Sequence, residues 1–472
     1  MSKASSKHND ISHHPDRDER GVYLGEGVNM DSRANTKSIF LSDEHRKRGT
    51  FVFGTTGVGK TRLEEMLACD DINTGKSMIL FDPKCDQRLF SVIYDCCKKN
   101  KCLHELQLVS SIFPQYSASI DPMSFYYDPE ELISHATSGI QGGKDPFFAA
   151  ASRLFVTPII YGKLIMCKAD GVLPTITLNE IFETLKRSEQ QKLMEDLNGL
   201  HSDIKEAEDS HFYSLMLESN LAKPDDYYEK LTTTLQANLV PLIAGNIGKI
   251  IGKADSNLMI QKLEAGERVI AVVHTGTMVS PSSAAILGRV LLSMIKSTIG
   301  RHYISKREKM NPMLSLHIDE AHSVITTDTL QVLAMAGSAD VMTHLYTQSV
   351  NQIHAALGDD KLGKSALDTT NTKIFMKCTD AETAQYVIPH FGVHDVLSGV
   401  FSGEQVTTRQ IEKDVLTERD LLDLNPRECY MMTQSGRYAF TTKWGTEPGT
   451  KIVFPDVTVS APPNDTEAGG TP

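Results

Sequence analysis

The segment from Gly54 to Thr61 carries residue types at a spacing that could bind a chain of phosphate groups. Its glycines let successive backbone N–H groups converge on phosphate oxygens at a helix N-terminus. Lys60 would reach the β- and γ-phosphates, and the Thr61 hydroxyl would hold the Mg²⁺ that bridges them. The segment therefore predicts a nucleotide-binding loop. The candidate nucleotide-binding residues are Gly54, Thr55, Thr56, Gly57, Val58, Gly59, Lys60, Thr61 and Arg62.

The adjacent acids Asp319 and Glu320 form a second candidate site, because they end the strand-like run 314–318. Taken alone, two adjacent acids at a strand end are more often solvated surface residues than catalytic ones. The phosphate-binding loop upstream favours the catalytic interpretation here. Asp319 is expected to hold the metal, and Glu320 to orient and deprotonate the attacking water. Gln348 ends a further strand-like run, and its amide could donate to a γ-phosphate and accept from that water. The candidate catalytic residues are thus Lys60, Glu320 and Gln348, and the candidate metal ligands are Thr61 and Asp319.

Residues 319–322 read Asp-Glu-Ala-His, which is the box of one helicase superfamily. Such helicases also need a Gln-x-x-Gly-Arg-x-Gly-Arg element near the end of their second core, and the sequence contains none. The helicase class is therefore disfavoured. His322 is expected at the start of a helix rather than in catalysis.

The spacing of apolar residues predicts the scaffold that positions these sites. Strands alternate with helices along the chain, which predicts an α/β fold with a mostly parallel sheet covered on both faces. The interval 128–262 has helical periodicity and little strand signal, so we expect an inserted all-helical domain there. Its acid-rich middle fits a solvated helix face as well as a docking surface for basic proteins. The predicted strands lie at 50–53, 77–82, 105–109, 268–274, 313–318, 343–347, 373–377 and 428–434.

Composition limits the classes of protein to which the chain could belong. Its 472 residues, of which 40% are hydrophobic and 23% charged, suffice for a large α/β core. The eight cysteines predict reduced thiols, and the cluster at 96, 97 and 102 with His104 matches no standard zinc spacing.

The ordered set of motifs resembles the type IV coupling proteins of the TraG/TraD group, the DNA-pumping ATPases of bacterial conjugation within the HerA/FtsK superfamily. The phosphate-binding loop, the acidic pair and the Gln348 segment all belong to this set, and the resemblance covers residues 21–445. Cys85 stands where family members usually have glycine, and Lys377 lies near a position where many have arginine. The remaining motifs lie at 23–27, 80–86, 371–377 and 380–384.

The resemblance implies an ATP hydrolase with a RecA-like P-loop fold that uses ATP and Mg²⁺ and assembles as a homo-hexameric ring. Its implied partners are DNA, expected as a single strand, relaxase and other relaxosome proteins, and type IV secretion ATPases. A basic residue from the neighbouring subunit would complete the catalytic site, and Arg409 and Lys377 are the candidates. The implied location is the cytoplasmic face of the bacterial inner membrane. The net charge of −12 does not exclude DNA, because the implied ring needs basic residues only along its pore. The candidate pore residues are Lys84, Arg88, Lys361 and Lys364.

Coupling proteins commonly begin with two membrane-spanning helices, yet no apolar run in this sequence reaches the roughly 18 residues that a span requires. No signal peptide is predicted either. We expect an anchor that was removed or that another subunit provides. The predicted domains are a disordered segment at 1–20, the nucleotide-binding domain in two parts at 21–127 and 263–455, the all-helical insertion at 128–262, and a disordered tail at 456–472.

Two other functions stay open. A secretion ATPase of the same superfamily, which powers pilus assembly or protein export, would share every catalytic motif but lack DNA-stimulated turnover. A recruitment platform would bind substrate proteins through its helical domain while ATP only held its shape. The hydrolytic set of Lys60, Thr61, Asp319, Glu320 and Gln348 argues against a platform, which has no need of a hydrolytic base.

Overall fold

A computed structural model of the protein describes residues 17–32, 36–140, 147–200, 207–252, 256–305, 307–327, 329–330, 335–402 and 405–456. The α/β fold class predicted from the sequence is confirmed, since a large and mostly parallel sheet is combined with many helices. Each strand predicted from the sequence is present, with ends that differ by at most a few residues.

Twelve of the described strands form one mixed sheet, and two form a separate hairpin. The strands of the sheet are β1 (Arg17–Asp18), β2 (Gly21–Asn29), β3 (Lys37–Leu41), β4 (Thr50–Phe53), β5 (Ser77–Asp82), β6 (Leu106–Ser110), β7 (Ile270–His274), β8 (Leu314–Ile318), β9 (Val341–Thr347), β10 (Thr372–Phe375), β13 (Glu428–Thr433) and β14 (Gly436–Thr442). The hairpin pairs β11 (Val393–Ser402) with β12 (Gln405–Asp414).

The helices fall into two groups, those between successive strands and those in the long interval between β6 and β7. The first group is α1 (Asp43–Lys47), α2 (Lys60–Asn73), α3 (Gln87–Lys99), α12 (Pro281–Ile304), α13 (Val350–Leu357), α14 (Asp360–Asp368), α15 (Ala381–Phe391) and α16 (Glu418–Leu422). The second group is α4 (Pro129–Thr137), α5 (Phe147–Ala169), α6 (Leu178–Thr184), α7 (Arg187–Asn198), α8 (Ala207–Leu221), α9 (Asp225–Ile243), α10 (Gly245–Ile250) and α11 (Leu258–Ala265).

The order of strands in the sheet decides which loops can meet. It runs β1-β2-β14-β13-β10-β4-β9-β8-β5-β7-β6, with β3 on β2. From β10 to β6 every neighbouring pair is parallel, and β4, β5, β7, β8 and β9 are buried along their whole length. Burial on both faces explains why β5 and β7 are almost entirely apolar rather than alternating. The loops after β4, β5, β8 and β9 therefore share one edge, which is where ligands bind in such sheets.

The interval between β6 and β7 consists of helices and turns in the described residues, apart from one bridge between Ile120 and Asn257. Helix α12, which follows β7, packs against α4 and α9 and so joins this helical part to the sheet. Residues 1–16 and 457–472 lie outside the described residues. Residues 17–20, which the sequence predicted as disordered, instead begin with β1 on the edge of the sheet, because Arg17 pairs with Val22 and Asp18 with Gly21.

Two described helices, α5 and α12, are long and apolar enough to cross a membrane. Over half of the most apolar stretch of each lies inside the fold, as expected for core helices. The sequence prediction concerned uninterrupted apolar runs, and Lys163 interrupts the run in α5 although the helix continues through it.

Candidate functional site

The phosphate-binding loop connects β4 to α2 at the carboxyl edge of the sheet. Gly59, the last residue before α2, has a φ of 116°, a conformation that residues with a Cβ rarely adopt. The loop is held from both sides, because the Gly54 N–H donates to Thr347 O at 3.3 Å and the Thr55 N–H donates to Lys377 O at 2.9 Å. Both strands that flank β4 thus fix the position of the loop.

Lys60, the first residue of α2, is buried and points back into the loop. Its Nζ donates to the carbonyl of Gly54 and, at 3.1 Å, to that of Thr55. Burial lowers the pKa of Lys60, although the charges of Glu320 and Asp319 oppose this effect. The cation is therefore surrounded by oxygen acceptors at the centre of the loop, and phosphate oxygens could replace them. This arrangement fits a bound polyphosphate.

The acids after β8 share one cation. Lys84 Nζ lies 2.9 Å from Asp319 Oδ2 and 2.8 Å from Glu320 Oε1. Burial opposes the charged form of Lys84, but these two carboxylates outweigh it and raise the pKa of Lys84. Burial would also raise the pKa of Glu320, yet the hydrogen bonds from Lys84 and Gln348 lower it below its usual value. Glu320 is thus a carboxylate at neutral pH.

Gln348 follows β9 and contacts the acidic pair directly, since its Nε2 donates to Glu320 Oε1 at 3.1 Å. Glu320 itself has a φ of 45°, a left-handed conformation that is costly for a residue with a side chain and is common at functional sites. His322 lies in the short helical turn Ala321–Ser323, and its Nδ1 is 3.6 Å from Glu320 Oε2. The structure therefore brings the predicted loop, acids and glutamine to one place.

Comparison with known proteins bears on this geometry. Residues 313–426 match a family model described as the TraM recognition site of TraD and TraG. No curated protein sequence matches the chain. The unbound bacterial conjugative coupling protein TrwBdeltaN70 is similar in structure, with a TM-score of 0.63 at 15% identity over 91% of this chain and 96% of that one. The chain has the coupling-protein fold. The resemblance to type IV coupling proteins is therefore confirmed.

Two further solved structures share this coupling-protein fold. The plasmid coupling protein TrwB in complex with ADP and Mg²⁺ gives a TM-score of 0.64 at 14% identity, covering 92% of this chain and 97% of that one. VirB4 of Thermoanaerobacter pseudethanolicus gives a TM-score of 0.53 at 12% identity, covering 91% of this chain and 97% of that one. The three similarities each extend over more than 90% of this chain.

The other candidate residues lie at the start of α2, just after β10 and in the hairpin. Thr61 and Arg62 lie in the first turn of α2, where Arg62 forms an ion pair with Glu65 at 2.5 Å. Lys377 lies just after β10, and its carbonyl contacts the phosphate-binding loop of its own chain. Arg409 lies in β12, opposite Ser398 in the hairpin and outside the large sheet, and its side chain is outside the described part of the structure.

The ammonium of Lys84, a candidate pore residue, lies between the two acids, a contact that the sequence did not predict. Its loop is held by Asp82, which accepts from the Lys84 N–H at 2.9 Å and from the Asp86 N–H at 2.6 Å. Cys85 in this loop has a φ of 57°, so it adopts the left-handed conformation that the usual glycine would favour. A cysteine pays about 1 kcal/mol for that conformation.

Two buried acids near the site were not identified from the sequence. Both carboxylate oxygens of Glu64 on α2 are buried without a hydrogen-bond partner. Burial and the charges of Asp319 and Asp82 raise the pKa of Glu64 well above its usual value. Burial also raises the pKa of Asp82 to about 7. Glu64 lies four residues after Lys60. This spacing could have identified Glu64 from the sequence, because it puts both side chains on one helix face.

Trp444 was also missed, and it lies next to the phosphate-binding loop. The Arg427 N–H donates to Val58 O at 2.8 Å, and the Arg427 guanidinium stacks on the Trp444 ring at 3.7 Å from its centre. Gly445 follows beside Arg62 in the first turn of α2. The indole is 78% exposed although it is large and apolar. The residue offered one signal, since it is the single tryptophan of the sequence.

Proposed function

We propose that the protein is a conjugative coupling ATPase, which hydrolyses ATP to recruit DNA and move it into a type IV secretion channel. The observation that carries the proposal is the contact between Gln348 and Glu320, beside Lys84 and Asp319, at the sheet edge that also holds Lys60. A nucleotide-binding protein without hydrolytic activity has no need of this acid and amide pair.

In the proposed reaction, Lys60 and the loop N–H groups bind the phosphates, and Thr61 and Asp319 would hold Mg²⁺. When bound, Mg²⁺ neutralises charge on the phosphates. Glu320, charged at neutral pH, accepts a hydrogen bond from the attacking water and takes its proton. Gln348 holds the Glu320 carboxylate in place and can contact the γ-phosphate through its amide. Lys84 balances the charge of the two acids.

The remaining features of the proposal rest on the family. The match to the TraM recognition site over residues 313–426 supports a relaxosome protein as partner. We propose a homo-hexamer at the cytoplasmic face of the bacterial inner membrane, with Arg409 or Lys377 completing the site of a neighbouring subunit. We also propose the domain bounds predicted from the sequence, with the helices α4 to α11 as the inserted domain.

The similarity to VirB4 favours a second candidate function. An ATPase that powers pilus assembly or protein export would use the same site, but its activity would not depend on DNA. DNA-dependent turnover therefore separates the two functions.

ATP hydrolysis by the full chain should rise at least several-fold when DNA is added, with single strands more effective than double strands. In a motor that advances along DNA, ATP hydrolysis is coupled to the bound strand. In a secretion ATPase, hydrolysis is not coupled to DNA. The measurement is steady-state phosphate release with no DNA, with single-stranded DNA and with double-stranded DNA at fixed ionic strength. Turnover that is the same under all three conditions would favour the secretion function.

We further propose that the exposed face of Trp444 stacks on the base of the bound nucleotide. The opposite face is occupied by Arg427, whose backbone is bonded to the phosphate-binding loop, so the ring is held at a fixed place beside that loop. An aromatic ring with one free face is a suitable platform for any base.

Because the chain has one tryptophan, its intrinsic fluorescence reports on this ring alone. Titration with ADP and Mg²⁺ should change the emission, whereas pyrophosphate and Mg²⁺ should bind without this change. Trp444→Ala should weaken ADP binding by about tenfold or more, given 1–3 kcal/mol per stacked base, and Trp444→Phe should retain most of the affinity. If Trp444→Ala weakened pyrophosphate binding to the same extent, the ring would act on the loop rather than on the base.

A further inference from the structure

A second cation-lined cavity lies where the helical part of the chain meets the sheet. It has a volume of 410 Å³ and is bounded by α4, α5, α12, the residues Ile325, Thr326, Thr327 and Thr329, and the end of α13 at Gly358. Its charged lining residues are Arg153, Arg289 and Lys296, and the described lining contains hydroxyl groups but no carboxylate. The described lining therefore carries positive charge and is rich in hydrogen-bond donors.

Arg289 is the most deeply buried of these cations, with 7% of its surface exposed. It donates to two backbone carbonyls, that of Gly139 at 3.2 Å and that of Ser323 at 3.3 Å. Its Nε is buried with no hydrogen-bond partner, and it has no ion pair with any described carboxylate. Burial lowers the pKa of Arg289. A buried guanidinium without a counter-charge is costly, and a bound anion would offset this cost.

The other two cations differ in whether they are already ion-paired within the protein. Arg153 is ion-paired with Glu130 at 3.1 Å and donates to Ser134 Oγ at 3.2 Å. Lys296 is half-buried on α12, two turns after Arg289, and has no ion pair within the described residues. Arg289 and Lys296 thus supply two positive charges on one helix, with Ser293 between them.

This cavity is linked by hydrogen bonds to the turn that follows Glu320, which we call the catalytic turn. The Ser323 carbonyl that Arg289 contacts belongs to the turn after Glu320, and the Ser323 N–H donates to Glu320 O at 2.9 Å. The other Arg289 contact, Gly139, follows α4 of the helical part. The Arg289 guanidinium therefore connects the helical part, the cavity and, through Ser323, the backbone of Glu320.

We propose that this cavity binds a phosphate group through Arg289 and Lys296, and that its occupancy alters ATP hydrolysis through the contact of Arg289 with Ser323. Guanidinium groups bind phosphate oxygens with directed, charge-assisted hydrogen bonds. The phosphate could be a phosphodiester of DNA or free inorganic phosphate. The first source rests on the proposed function.

Lys296→Gln is the first test variant, because a half-buried lysine without an ion pair can be replaced with little effect on folding. If the ligand is DNA, Lys296→Gln should weaken binding of single-stranded DNA by about tenfold and reduce the slope of log affinity against log salt by about one. Basal ATP hydrolysis without DNA should stay at the wild-type rate, which separates this result from a failure of the catalytic site.

If the ligand is free phosphate, calorimetry should detect saturable binding of inorganic phosphate to Lys60→Ala, whose phosphate-binding loop is disabled. The binding should be lost in Lys60→Ala with Arg289→Gln, and DNA affinity should not change in Lys296→Gln. Arg268→Gln is the matched control, because Arg268 also donates to two backbone carbonyls but is paired with Glu105 at 3.2 Å. The proposal is overturned if Lys296→Gln binds DNA as the wild type does and Lys60→Ala binds no phosphate.

Discussion

Glu320→Gln should reduce the rate of ATP hydrolysis by about 10²–10⁴-fold, the usual contribution of a positioned general base. The amide keeps the shape of the side chain but cannot accept a proton from water. In the wild type the hydrogen bonds from Lys84 and Gln348 keep the pKa of Glu320 low, so the reactive carboxylate is present at neutral pH. The measurement is phosphate release at saturating ATP and Mg²⁺.

Nucleotide binding should distinguish this variant from a damaged site. Glu320→Gln should bind ATP about as tightly as the wild type, because Lys60 and the loop N–H groups are unchanged. Lys60→Ala should lose binding as well as hydrolysis, since its ammonium occupies the centre of the loop. The exposed Glu418, far from the loop in sequence and outside the site, gives the control Glu418→Gln, which should hydrolyse ATP normally. Near-normal hydrolysis by Glu320→Gln would rule out the proposed base.

Arg46→Met should lower the free energy of unfolding by about 3–5 kcal/mol, the usual cost of removing one partner of a buried ion pair. Arg46 is fully buried, and its guanidinium lies 3.2 Å from Asp70 Oδ2 and 2.7 Å from Asp71 Oδ2. Its Nε also donates to His344 Nε2 at 3.0 Å. Methionine fills similar space but leaves the two carboxylates without this cation. Urea unfolding followed by circular dichroism measures the effect.

The control for Arg46→Met is Arg419→Met, because the pair of Arg419 with Asp423 is largely exposed and should contribute under about 1 kcal/mol. A second comparison is the double variant Arg46→Met with Asp71→Leu. It should be less destabilised than the sum of the two single changes, since the buried Asp71 carboxylate is then no longer left without Arg46. Additive effects would mean that the two residues do not act as a pair.

The same network predicts how stability depends on pH. Burial would raise the pKa of Asp71, but Arg46 and His317 hold it well below its usual range. Burial lowers the pKa of both His317 and His344, whose rings stack with centres 4.4 Å apart. As the pH falls below about 6.5, the unfolded chain takes up protons on these histidines that the folded chain does not. Below about pH 4 the carboxylate of Asp71 adds to the loss, so the contribution of this network to the free energy of unfolding should fall in two stages.

The catalytic set was predictable from the sequence because each part is a short local pattern at the end of a strand. The loop residues 54–61 are contiguous, and Glu320 and Gln348 are only 28 residues apart, roughly one strand-helix-strand unit. In a parallel sheet such strand ends lie at the same edge, so the strand assignment predicted a common edge, whereas the contacts also require β4, β9 and β8 to be neighbours. The roles of these residues remain predictions for the experiments above.

The contacts that the sequence did not predict join distant segments of the chain. Lys84 reaches Asp319 across 235 positions, because β5 lies beside β8 in the sheet although β6 and β7 come between them in the chain. Arg46 reaches His344 across 298 positions, because β4, which follows the helix of Arg46, pairs with β9 in the sheet. Local periodicity predicts strands and their exposed ends, but it does not give the order of strands in a sheet.

The sequence by itself therefore determined the α/β class, the nucleotide-binding loop and the acidic pair, since these depend on residue types within a few positions of each other. Only the tertiary structure placed Lys84 between the acids, Trp444 beside the loop and Arg289 between the cavity and the catalytic turn. The physical reason is that these three contacts are set by strand order and helix packing, which bring together residues that share no local pattern.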